Sequence, residues 1–112
     1  MNMEDLQVAV NVWAIQKGIM SKSTPIKQHI KTQEEVTELL EALVDKNDHE
    51  IKDAIGDIIV TLIIQAYMNG TTINECLEQA YDVISKRTGK MQNGLFVKDA
   101  EQMKLKHVNK QG

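Results

Sequence analysis

The side chains best suited to chemistry sit in two acidic segments separated by a short polar loop. The first is Glu34-Glu35-Val36-Thr37-Glu38-Leu39-Leu40-Glu41. The second is Glu50-Ile51-Lys52-Asp53-Ala54-Ile55-Gly56-Asp57, which runs straight into Ile58-Ile59-Val60-Thr61-Leu62-Ile63-Ile64. Carboxylates leading into a long apolar run need an explanation, because a buried charge costs several kcal/mol unless it is paired or binds a metal. With both segments read as helices, at about 100° per residue, Glu34, Glu38, Glu41 and Asp45 fall in one stripe, with Glu35 at its shoulder. Glu50, Asp53 and Asp57 share a stripe on the other, bordered by Ala54. Leu39, Leu40 and Leu43 mark the inward side of the first helix; Ile51, Ile55, Ile58 and Leu62 mark that of the second. Antiparallel packing would bring the carboxylates together at an edge of the interface. No other part of the chain supplies comparable positive charge there, and oxygen-only ligands suit a hard ion such as Mg²⁺ or Mn²⁺. The competing reading is a pair of solvated helix faces, the ordinary fate of acid runs. Two stripes at metal-ligand spacing, joined by a short loop and flanked by core, argue against it.

The elements that must carry these stripes are helical. A first helix runs from about Glu4 to Lys17, with acids at its start and Gly18 as a C-terminal cap. Its inward face is Leu6, Ala9, Val10, Trp13 and Ile15. Trp13 reads first as core, and it is also the only large aromatic available to lie against a nucleobase. Ser21 to Thr24 reads as a loop. Thr24 then Pro25 signals a helix start, opening a second helix to Asp45 that carries Lys31 one turn before Glu34 and Glu35. Asn47 with Glu50 three residues later resembles a capping box; Glu50 therefore has a structural role of its own and is not taken as a ligand. A third helix runs from Asp48 to Asn69, stopped by Gly70. Its broad apolar surface implies burial on several sides, hence a second subunit. Thr72-Ile73-Asn74-Glu75 caps a fourth helix to about Thr88, ended by Gly89, with Ile73, Cys76, Leu77, Ala80, Tyr81 and Ile84 inward. A turn-rich basic loop, Gly89 to Gly94, leads to a short strand-like piece at Leu95-Phe96-Val97. The charged tail from Lys98 to Gly112 is expected to fray.

Composition bounds the rest. The 112 residues make one domain with a single modest core. A net charge of −3 gives no footprint for polymeric nucleic acid, and at 4% aromatic residues a base-stacking platform is not expected. The single cysteine, Cys76, excludes an internal disulfide framework and reads as a small core residue. One Cys and three scattered His offer no zinc site. The polar, acidic start at Met1 to Asp5 is unlike a leader, and Ile58 to Ile64 is too short to span a bilayer. A cytoplasmic protein without membrane contact is expected.

Glu34-Glu35-Val36-Thr37-Glu38 matches the EExxE element of the MazG-like all-α nucleoside triphosphate pyrophosphohydrolases. Asp53-Ala54-Ile55-Gly56-Asp57 resembles that family's second element, ExxD. Arg87-Thr88-Gly89-Lys90-Met91-Gln92-Asn93-Gly94-Leu95-Phe96-Val97 is similar to the ending of small MazG-like proteins of bacteriophages and prophages. The resemblance covers about Val8 to Asp99. It departs at Ala54, where the ExxD form has glutamate; Asp53, one turn before Asp57, is the nearest substitute, and the phage-type proteins look similar here.

The resemblance implies an all-α, four-helix MazG-like bundle that oligomerises as a homodimer or homotetramer, with a short extended piece after the last helix. It implies hydrolysis of a nucleoside triphosphate between its α and β phosphates, giving a monophosphate and pyrophosphate. It places Mg²⁺, or Mn²⁺, on Glu35, Glu38, Asp53 and Asp57, with Glu34 behind them, and gives Glu35 or Glu38 the proton of the attacking water. Lys31, Arg87 and Lys90 are the candidates for phosphate oxygens, Asn93 for a base or sugar edge, and Trp13 for the base. For Asn93-Gly94 a plain tight turn competes with that role. The alternative for the whole chain is a non-catalytic helical dimer that binds a nucleotide or a protein partner, and Ala54 is the feature that favours it.

Overall fold

The computed structural model describes residues 1–99. Its elements are α1 Met3–Gln16, α2 Ile19–Lys22, α3 Pro25–Val44, α4 Asp48–Met68, α5 Ile73–Ile84, β1 Gly89–Gln92 and β2 Leu95–Lys98. This is the expected helical chain with a short extended piece at its end. Two compact units divide it, one from Met1 to Leu77 and one from Glu78 onward.

In the first unit, side-chain caps set the helix starts. Asn2 Oδ1 accepts from Asp5 N, Thr24 Oγ1 from Lys27 N, Asn47 Oδ1 from Glu50 N and Thr72 Oγ1 from Glu75 N. Each satisfies a backbone donor that the helix itself cannot. The segment after Gly18 folds into the single turn α2, where a loop was expected from Ser21. The link between α3 and α4 is tight. Lys46 takes a left-handed φ of 52°, Lys46 N donates to Leu43 O and Asn47 N to Ala42 O. That is a Schellman closure, with lysine in the place glycine usually fills.

So short a link folds α4 back against α3, and these two helices share the most extensive contact; α1 packs on α4. The face that α3 buries is not the leucine stripe. On α3, Thr32, Glu35 and Ala42 are buried; on α4, Ala54, Thr61, Ile63, Ile64 and Ala66 are. Leu40, Leu43, Ile55 and Leu62, expected inward, are between 39% and 61% exposed. Small and hydroxyl side chains allow the two backbones a close approach, so the bulky residues are displaced to the flanks. On α1, likewise, Gln7 and Ala14 are buried, while Leu6, Trp13 and Ile15 lie partly open.

α5 ends at Ile84 rather than Thr88, and none of its residues is buried. Its apolar stripe forms as expected, but Leu77, Tyr81 and Ile84 stay exposed, as does Cys76, which is not a core residue in the single chain. In the second unit, β1 and β2 pair antiparallel from Gly89↔Lys98 to Gln92↔Leu95. Asn93 and Gly94, at φ 51° and 80°, form the two-residue turn, the geometry for which Asn-Gly is preferred. Gly89 starts β1 instead of ending a helix. A Cβ there would collide with Val97 O, Phe96 Cζ and Lys98 Cα. Lys98 closes β2, and Thr88 Oγ1 donates to Asp99 Oδ2. The rest of the expected tail, 100–112, lies outside the described residues.

Candidate functional site: an acidic cleft between two helices

Near their connecting turn, α3 and α4 flank a cleft of about 300 Å³. Its walls are Glu38, Glu41 and Ala42 from α3, Asp45 at that helix's C-terminal cap, and Glu50, Asp53, Ala54 and Asp57 from α4. The structure thus brings Glu38, Asp53 and Asp57 to one place. Glu41, Asp45 and Glu50 stand there too, outside the expected ligand set. The stripes of the sequence already contained all three. In the cap expected at Glu50 only its backbone N–H serves Asn47, and its side chain lines the cleft. Ala54, where the family's glutamate would stand, is buried at the cleft wall beside Ala42.

Glu35 is not among the residues that line the cleft; it is buried, only 8% exposed. Its Oε1 lies 3.4 Å from Lys31 Nζ, which also reaches Glu34 Oε2 at 3.3 Å. Its Oε2 is buried with no hydrogen-bond partner. The pairing raises the Lys31 ammonium pKa, first through its hydrogen bond to Glu34 and then through that to Glu35. The pKa of Asp57 is raised from its ordinary value. Loss of water around its carboxyl is the first cause, and the negative charges of Glu35 and Asp53 add to it, with Lys31 opposing.

As the side chains stand, no three His, Cys, Asp or Glu among the described residues are arranged to hold a metal ion. The chemistry of the donor set nevertheless fits one. A buried carboxylate oxygen without a donor is costly, and Glu35 Oε2 is such an oxygen; the charge of Glu35 also adds to the raised pKa of Asp57. All the groups around the cleft are hard oxygen donors of the kind Mg²⁺ and Mn²⁺ take.

Asp57 also lines a second, apolar groove of about 370 Å³ with Leu6, Ala9, Val10, Trp13 and Val60. Trp13 is 46% exposed in it, so it is a groove wall rather than a sealed core residue. Arg87, Lys90 and Asn93 belong to the second unit, and all three are exposed. Arg87 follows α5, Lys90 pairs with Val97 in the hairpin, and Asn93 holds the turn.

No helix among the described residues is long and apolar enough to cross a membrane. No solved structure matches the chain. An uncharacterized 18.2 kDa protein of the rep-hol intergenic region of Haemophilus phage HP1 (strain HP1c1) is 40% identical over 70 residues, 60% of this chain and 43% of that protein. The chain therefore spans less than half the length of that curated relative. The family model of the MazG nucleotide pyrophosphohydrolase domain matches residues 24–92, a span that contains the whole acidic cleft and strand β1 of the hairpin. On that match, the chain belongs to the MazG nucleotide pyrophosphohydrolase family.

Proposed function

We propose that the chain is a Mg²⁺-dependent nucleoside triphosphate pyrophosphohydrolase, converting (d)NTP and water to (d)NMP and pyrophosphate. The observation that carries this reading is the convergence of carboxylates from α3 and α4 on one cleft, with a buried, unpartnered Glu35 oxygen beside it. Carboxylates alone repel a triphosphate. A bound Mg²⁺, or Mn²⁺, supplies neutralisation of phosphate charge and a lowered pKa for the attacking water. Glu35, Glu38, Asp53 and Asp57 would hold it.

The chain's own residues divide the remaining work. Glu38, at the open cleft, accepts the proton of the attacking water; Glu35, tied to Lys31, is the fixed ligand. Lys31, paired with Glu34 and Glu35 in the free chain, exchanges these carboxylates for a phosphate oxygen. Arg87 offers parallel N–H donors suited to phosphate, Lys90 a point charge and Asn93 an amide. The apolar groove under Trp13 shares Asp57 with the cleft, which supports seating the base there while the phosphates face the carboxylates. The exposed apolar residues of α3, α4 and α5 support a homodimer or homotetramer. A nucleotide-pool substrate points to the cytoplasm.

A second reading, a non-catalytic helical dimer that binds nucleotide, is favoured by Ala54. One experiment separates the two. The protein is incubated with each (d)NTP and Mg²⁺, with and without chelator, and the products are resolved. Monophosphate and pyrophosphate released only with metal support the enzyme. Binding without release from any nucleotide supports the second reading. Diphosphate with orthophosphate would refute the bond assigned here.

A further inference from the structure

A buried polar chain crosses from α4 to α3 and back, one turn away from the carboxylates. Thr32 and Thr61 are 7% and 5% exposed. Thr32 Oγ1 donates to Thr61 Oγ1 at 2.8 Å, and Thr61 Oγ1 donates to Ile58 O at 2.7 Å. Gln65 Nε2 donates to Thr32 Oγ1 at 2.5 Å. Each hydroxyl has one proton, so the order Gln65 to Thr32 to Thr61 to Ile58 O uses every donor once. Hydrogen bonds in such a run polarise one another.

Its position matters more than its strength. Thr32 lies three residues before Glu35 on α3, and Thr61 lies four residues after Asp57 on α4, so each threonine stands one turn from its carboxylate on the same face. Since α4 folds back against α3, one turn from the Thr32–Thr61 bond toward the connecting link leads to Glu35 on one helix and to Asp57 on the other. Apolar contact between two helices permits sliding and rotation, whereas a directional hydrogen bond specifies one register, which is the best-attested use of polar groups inside helix interfaces.

We propose that Thr32, Thr61 and Gln65 are positioning residues, a clasp that holds α3 and α4 at the spacing at which Glu35 and Asp57 share one cation. This rests on the metal reading given above. Valine at 61 keeps the shape and removes the hydroxyl, while Thr32 retains an acceptor in Gln28 O at 3.1 Å. Serine keeps the hydroxyl.

The test is MnCl₂ binding by titration calorimetry at 25 °C to wild type, Thr61→Val and Thr61→Ser, each shown to be folded by circular dichroism. Thr61→Val is expected to bind Mn²⁺ about tenfold more weakly, the low end of what loss of an outer ligand support costs, and Thr61→Ser to bind close to wild type. A merely structural bond would lower the melting temperature but leave the affinity of the folded protein unchanged. Wild-type affinity in Thr61→Val overturns the clasp and leaves the metal reading standing. A wild type that binds no Mn²⁺ overturns both. If Thr61→Val does not fold, Gln65→Met decides: it removes the first donor of the chain from a half-buried position. Weaker Mn²⁺ binding then supports the clasp, and unchanged binding refutes it.

Discussion

Lys31 Nζ stands 3.4 Å from Glu35 Oε1, while Glu35 Oε2, in the same buried carboxylate, has no partner at all. The lysine side chain is half exposed, at 52%, so it reaches the carboxylate from one side and neutralises it only there. Glu35 is left with one satisfied oxygen and one that a second cation would complete.

Lys31→Gln should therefore separate two roles. Without metal, Glu35 loses its counter-charge, and the melting temperature should fall; a half-exposed pair supports a cost of about 1 kcal/mol. With saturating Mg²⁺ most of that loss should be recovered by mass action on the folded state. The KM for a nucleoside triphosphate should rise because a phosphate contact is gone. A metal-free melting temperature identical to wild type would show that Lys31 does not hold Glu35 in solution.

Asp57→Asn has a pH signature whose sign is fixed by the raised pKa. A carboxyl that holds its proton more tightly in the folded state favours folding at low pH, and that contribution is lost as pH rises through its folded-state pKa. At neutral pH, ionised Asp57 repels Glu35 and Asp53. The metal-free Asn variant should then be more stable by about 0.2–0.5 kcal/mol, the size of a like-charge contact one helical turn apart. The gain should vanish below about pH 4, where the wild-type carboxyl is protonated. In Mg²⁺ the order should reverse, since the variant lacks a ligand. Thermal melts at two pH values, with and without Mg²⁺, check all three statements.

Gly89→Ala addresses the hairpin. The added methyl would meet Val97 O, Phe96 Cζ and Lys98 Cα, backbone and ring atoms that cannot all move aside. Overpacking of this kind costs about 1–3 kcal/mol. The loss should be local: amide exchange across Gly89↔Lys98 and Lys90↔Val97 should accelerate, while protection in α3 and α4 stays at its wild-type level. Equal protection of the hairpin in both proteins would contradict the close packing of β1 on β2.

Much of this was legible in the sequence, because it is local. Thr24-Pro25, Asn47 and Thr72 announce helix starts through cap chemistry that needs no tertiary partner. The acid stripes follow from helical period alone. What was hidden depends on neighbours. Which side of α3 meets α4 is settled by Ala42, Ala54, Thr32 and Thr61 allowing close approach, so the more hydrophobic leucine stripe, the natural guess, loses. Ile84 ends α5 with no breaker before Gly89. Tyr81 and Leu77 form the expected apolar face, yet nothing among the described residues buries it. The Asn93-Gly94 turn was visible, but Lys90-Met91-Gln92 lacks the β-branched alternation that would have revealed its strand.

The central claim, that a divalent cation completes the carboxylate set around Glu35, is tested most directly by an electron paramagnetic resonance titration with MnCl₂. Wild type should deplete the free Mn²⁺ signal, and Glu35→Gln should leave the signal near that of buffer, with affinity reduced by about 100-fold or more, since loss of outer supports alone costs 10–100-fold. Equal depletion by the two proteins, with both folded, would contradict it.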